Sequence, residues 1–156
     1  AYQDVLEYVV TVVNGGNAIA WDVNLVDTLP AEVQLSSGFT PTAVIDAVPV
    51  AGFVAAPGGA PAGPLVWGRA NGDGSLDLPP GSFLALTYRV EVSTPPADGA
   101  TLANSVWIDW TSLDVDPGSL FERTGAGCPT ITPPNDYCYG PAVATGTVDP
   151  APPASP

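Results

Sequence analysis

Phe83-Leu84-Ala85-Leu86-Thr87-Tyr88-Arg89-Val90-Glu91-Val92 alternates its side chains with a period of two. Leu84, Leu86, Tyr88, Val90 and Val92 fall on one side, Thr87, Arg89 and Glu91 on the other. That is the pattern of a strand with one face in a core, whereas a helix would scatter the same residues around its circumference. Pro79-Pro80-Gly81 precedes the run and Pro95-Pro96-Ala97-Asp98-Gly99 follows it, so turn residues bound it on both sides. Beyond the second turn, Leu102 to Trp110 repeats the alternation, with Val106, Ile108 and Trp110 set against Trp107 and Asp109.

Working back from this strand, Asn71-Gly72-Asp73-Gly74 reads as a turn and Leu65-Val66-Trp67 as a compact strand. Residues 36–64 are rich in Ala, Gly and Pro and leave room for one irregular edge strand near Val44-Ile45 or Val50 to Val54. Pro49 cannot donate to a ladder, which assigns it to an edge. A short strand is expected from Val33 to Leu35, after Pro30. Earlier still, Leu6, Tyr8, Val10 and Val12 share one face of a strand. Ile19, Trp21, Val23 and Leu25 share a face of the next, with Asp22, Asn24 and Asp27 on or near the other. Asn14-Gly15-Gly16-Asn17 between them offers the positive φ of a tight reversal, so a hairpin is predicted. Towards the other end, residues 111–136 read as a long polar loop and Tyr139 to Val148 as the last strand. The expectation is an all-β protein, an antiparallel immunoglobulin-like β-sandwich of seven to eight strands with a long disulfide-pinned loop. One domain spans 1–148, and 149–156 is a Pro-rich linker or tail.

Composition excludes several chemistries. The 156 residues carry a net charge of −13, with sixteen Asp and Glu, three Arg, and no Lys, His or Met. A triad lacks its His base, and Schiff-base or P-loop chemistry lacks its Lys. Three cations cannot neutralise a phosphate backbone or hold an anionic bilayer, so neither nucleic acid nor membrane insertion is expected. No apolar run is long enough to span a bilayer.

Cys128 and Cys138 have nine residues between them in a loop-like stretch. They read as a structural disulfide, worth about 2.5–3 kcal/mol by loop entropy, and this places the chain in an oxidising, extracellular setting. Two acidic stretches suggest Ca2+, which takes six to eight oxygen ligands. One is Asn71 to Asp77, which turn chemistry already explains. The other is Asp109, Asp114, Asp116, Glu122, Asn135 and Asp136 around the disulfide, set against a reading in which Arg123 pairs with Asp136 or Asp109. Asp114 and Asp116 also have the carboxylate pairing of a glycoside hydrolase, but nothing nearby would raise one pKa. Trp21 and Trp110 are expected inside. Trp107 points outward as a contact surface for a second copy or a glycan.

Tyr8 to Asn17 and Val23-Asn24-Leu25-Val26-Asp27-Thr28-Leu29-Pro30 resemble a surface-repeat family, catalogued as the eleventh domain of unknown function. It pairs a Tyr-Thr-Val-x-Asn-x-Gly-Asn strand and turn with an Asp-Thr-Leu-Pro stop. The Trp67 strand, Pro80-Gly81, Leu84 to Val90 and Leu102-Ala103-Asn104-Ser105 fit as well, so the resemblance covers about residues 2–112. Glu122 to Gly125 and Asn135-Asp136-Tyr137 resemble the final loop of long members. The resemblance implies a sandwich strung in tandem along large secreted or cell-wall proteins, without enzymatic activity. It also implies a structural module of a stalk, sheath or filament whose partners are neighbouring copies. Some such sandwiches form a Lys–Asn isopeptide crosslink, which a chain without Lys cannot make. Two placements of the final strand stay open: donation to a neighbouring unit, or pairing within its own sandwich. The alternative function is a carbohydrate- or receptor-binding adhesin domain using Trp107 and residues 36–64.

Overall fold

The computed structural model describes residues 4–111 and 114, together with the backbone of 137–147. Among the described residues nine strands form: β1 Val5–Val13, β2 Trp21–Thr28, β3 Val33–Leu35, β4 Thr42–Ile45, β5 Val48–Pro49, β6 Leu65–Gly68, β7 Phe83–Val92, β8 Thr101–Thr111 and β9 Tyr137–Thr147. A 3-10 turn, Arg69–Asn71, follows β6. Among the described residues no helix is long and apolar enough to cross a membrane.

The strands make two antiparallel sheets that face one another as a sandwich. The first runs β1-β7-β4-β5, with β3 beside β4 on the same flank of β7. The second runs β6-β2-β8-β9. Strand β7 is the spine of the first sheet, and its period of two holds along its length. Leu84, Leu86, Tyr88 and Val90 are buried, while Arg89 opposite them is exposed. They meet Val23 and Leu25 of β2 and Leu65 and Trp67 of β6 in one apolar layer. Each such side chain contributes roughly 1.5–3 kcal/mol by leaving water.

Two expectations need correcting. The first two strands do not form a hairpin. Strand β1 pairs with β7 over its whole length, Val5 opposite Glu91 through Val13 opposite Phe83, whereas β2 lies in the other sheet between β6 and β8. Residues 14–20 therefore carry the chain across the sandwich, and neither Gly15 nor Gly16 takes a positive φ. Asn14 steers the crossing. Its side-chain oxygen accepts from Gly16 N at 2.9 Å, and its amide donates to the carbonyls of Ala18 (2.8 Å) and Leu78 (2.7 Å). Alternation specifies which faces are apolar but not which sheet each strand joins.

The second correction concerns Asp27, which points inward on the Val23–Leu25 side and not with the outer polar residues. Asp27 follows Leu25 by two residues, so alternation itself sets it on that side, while a bulge at Asp22, whose φ is 52°, re-aims the strand's start so that Ala20, and not Trp21 as expected, packs against the core.

The final strand pairs with β8 of its own chain, Thr101 opposite Thr147 through Trp110 opposite Tyr137, so the self-paired alternative is the one observed. It starts earlier than expected and includes Cys138. Its register slips where Gly140-Pro141 interrupts the ladder, because Pro has no N–H to donate. The irregular edge strand resolves into β4 and β5, with Pro49 on the outermost strand as expected. Asp46 and Ala47 join them, both at positive φ, the conformation a two-residue hairpin loop favours.

Candidate functional site

The motif residues converge on one buried cluster. Asp27 comes from β2, Tyr88 from β7 and Asn104 from β8, and each is at most 2% exposed. The Tyr88 hydroxyl donates to Asp27 Oδ2. Asn104 Nδ2 donates to the same carboxylate oxygen at 3.1 Å and to the Tyr88 hydroxyl oxygen at 3.1 Å. Three strands in two sheets are thereby tied through one carboxylate. Burial raises the Asp27 carboxyl above its ordinary value, against the opposing pull of the Tyr88 and Asn104 donors. Burial and the Asp27 charge push the Tyr88 hydroxyl far above the phenolic range, so it stays a donor. The Tyr8 ring stacks on Tyr88 at 5.4 Å and Trp67 lies against it at 5.0 Å, sealing the cluster with aromatic surface. With no Lys in the chain, the Asn104 amide has no amine to react with. The clasp is one of hydrogen bonds.

A second polar knot covers the outer side of β2. Asn24 donates to Asp109 Oδ1 at 2.9 Å and accepts from Ala70 N at 2.6 Å, and Asp22 lies 3.5 Å from the buried Arg69. The Asn71–Asp77 stretch, weighed above for Ca2+, spends its oxygens on the chain itself. The Asp73 carboxylate accepts from Val54 N (2.8 Å), from Ser75 N (2.9 Å) and from the Ser75 hydroxyl. Asp77 accepts from Asp22 N at 2.9 Å, and burial raises its carboxyl above the usual range.

Of the six oxygen residues proposed around the last loop, Asp109 is buried in this knot and Asp114 is exposed. Asp116, Glu122, Asn135 and Asp136 lie outside the described residues, as do Arg123, Cys128 and the 149–156 tail. Cys138 is described only as backbone, opposite Asp109. Among the described residues, no three His, Cys, Asp or Glu are grouped to hold a metal. Trp107 is half-buried on the outer face of the second sheet, opposite Val26, while Trp110 packs against the core from the inner face.

The clasp borders an open cleft of about 820 Å3 between the two sheets. One wall is β1, through Tyr8, Val10 and Val12. The other is the inner face of β8, through Val106, Ile108 and Trp110, with Asn104 at its edge. These apolar faces are legible in the sequence, but the gap between them is not. A gap is a property of sheet order, since β8 faces β1 while β9, one strand further out, has no described strand across from it.

No protein-family model matches the chain, and no curated protein matches it. Among solved structures it is similar to the pilus backbone from Streptococcus pneumoniae, at 17% identity and a TM-score of 0.48, over 75% of this chain and 26% of that one.

Proposed function

We propose that this chain is a non-enzymatic structural module of an extracellular surface stalk, sheath or filament. The observation that supports the reading is where its motifs send their polar side chains. Asp27 of the Asp-Thr-Leu-Pro stop, Tyr88 of the central strand and Asn104 of Leu-Ala-Asn-Ser all turn inward to fasten sheet to sheet. Polar groups in such a clasp serve shape, because hydrogen bonds among buried side chains fix one arrangement of the layers, even though Asp27 Oδ1 and Asn104 Oδ1 are buried without a hydrogen-bond partner among the described residues. The high acidity suits a repeated unit that must stay soluble at high local concentration. Immunogold electron microscopy of intact source cells tests the reading: label should follow surface layers or appendages. Label confined to the cell interior overturns it. Glycan-array binding that disappears in Trp107→Ala would replace it with the adhesin reading.

A further inference from the structure

Edge strands are ordinarily blunted by brevity, charge or proline, because a free row of N–H and C=O groups recruits another strand. Strands β3 and β5 are three and two residues long, β6 is four long and bridged by Gly58, and β9 carries Pro141. Strand β1 has none of these protections. It runs nine residues without Gly or Pro, and β7 is its sole partner among the described residues. The hydrogen bonds at the two ends of the ladder fix which of its backbone groups are taken. Val92 N donates to Asp4 O and Asn14 N to Ser82 O, so the even-numbered residues of β1 face β7. Val5, Glu7, Val9, Thr11 and Val13 therefore turn their N–H and C=O groups to the open side. Their side chains lie on the outer face, while Tyr8, Val10 and Val12 form one wall of the cleft.

We propose that this edge and the cleft beside it form a binding site for a single extended strand of another polypeptide, added to β1 in antiparallel register. Three features specify that occupant. The row of open N–H and C=O groups is matched by an extended polypeptide and by no compact small molecule. The space admits one strand and not a folded unit: β8 faces β1 and β9 lies one strand further out, so whatever pairs with β1 sits over β9. A second copy joined through its own β1 would set its β8 where β9 lies, whereas a lone strand covers β9. The β9 residues in register with Leu102, Asn104 and Val106 of β8 are Gly146, Ala144 and Ala142, so bulk above them has to come from the incoming strand. Charge is the third feature. The chain is at −13 with no Lys, and the residues lining the cleft are uncharged. The strand that fits is therefore apolar at every second position, uncharged between, and basic at its ends. The site adds a binding activity to the structural reading and rests on that reading only for the source of the strand: failure to bind peptide overturns the site and leaves the surface location untouched.

The probe is the nonapeptide Lys-Val-Thr-Val-Thr-Val-Thr-Val-Lys, whose Val side chains would enter the cleft. Isothermal titration of the full chain should show saturable one-to-one binding. The reordered peptide Lys-Val-Val-Val-Val-Thr-Thr-Thr-Lys should bind about tenfold more weakly or worse, because it cannot keep its apolar residues on one face. In the proposed pairing the Thr residues oppose the odd-numbered residues of β1, so their N–H groups point at β1. Methylating the Thr amide nitrogens should abolish binding, and methylating the Val nitrogens, which face away, should leave it within a few-fold. Amide hydrogen exchange of the chain alone should be slow at Leu6, Tyr8, Val10 and Val12 and fast at Val5, Glu7, Val9, Thr11 and Val13, and bound peptide should slow the second set. No binding overturns the proposal. Equal tolerance of both methylated peptides, or binding that leaves the odd-numbered amides unprotected, also overturns it, in favour of an apolar ligand that merely fills the cleft. So does an edge already protected in the chain alone, by a segment of its own if the protection is independent of concentration and by a second copy if it rises with concentration.

Discussion

Asp27 is acidic in a place that disfavours its charge, and this gives the clasp a pH dependence with a definite sign. Burial lifts its carboxyl above the ordinary value of 3.8. Between that value and the raised one, the folded chain holds a proton that the unfolded chain has released. Its contribution to stability is therefore complete below the ordinary value and is lost as pH rises through the raised one. Asp27→Asn keeps the shape and removes the titration. In urea melts, wild type should lose stability relative to Asp27→Asn as pH climbs through this window, and a constant difference would show that Asp27 does not titrate there. Tyr88→Phe removes the clasp's central donor and leaves the carboxylate short of a partner, a loss of about 1–3 kcal/mol. The polar identity of these residues was plain from the sequence. Their meeting was not, because Asp27, Tyr88 and Asn104 are brought together by sheet stacking, which alternation along single strands does not encode.

At the level of elements, β7 and β8 were legible because ten or so residues of strict alternation between proline-rich turns admit few other readings. The β1–β2 connection was misread for an equally physical reason. Asn-Gly-Gly-Asn suits a tight hairpin, yet the Asn14 side chain uses the same residues to hand the chain across the sandwich. Strands β4 and β5 read as one irregular edge strand because Asp46-Ala47 is a weak turn signal until the Asp46 carboxylate is seen accepting from Ser82 Oγ at 2.6 Å and Phe83 N at 3.0 Å. Gly68, by contrast, is a requirement that only coordinates reveal. It ends β6 at φ 101°, and a Cβ there would stand 2.0 Å from the Val23 carbonyl oxygen. Gly68→Ala should therefore force β6 from β2 and cost about 1–3 kcal/mol by chemical denaturation. Gly15→Ala, with open space around it, should be close to neutral. Equal effects at both positions would refute the assignment of strain to Gly68.

Across the whole molecule, the register fixes where tension enters. The Val5 end of β1 lies beside Glu91 and the Thr147 end of β9 beside Thr101, and the short connection 93–100 joins those two regions. Both outer strand ends thus open at one pole. Force applied between residues 4 and 147 loads each ladder from its end, so β1 peels from β7 and β9 from β8 one rung at a time. Force between residue 17, past the far end of β1, and residue 147 instead drags β9 along β8, with all the rungs loaded together. Single-molecule pulling should accordingly find a lower unfolding force for the 4–147 pair than for the 17–147 pair, and the reverse order would contradict the strand directions on which the argument rests. A unit that peels from one pole resists load poorly on its own. Were such units joined in series through these two ends, their resistance to load would depend on whatever holds β1 and β9 from outside.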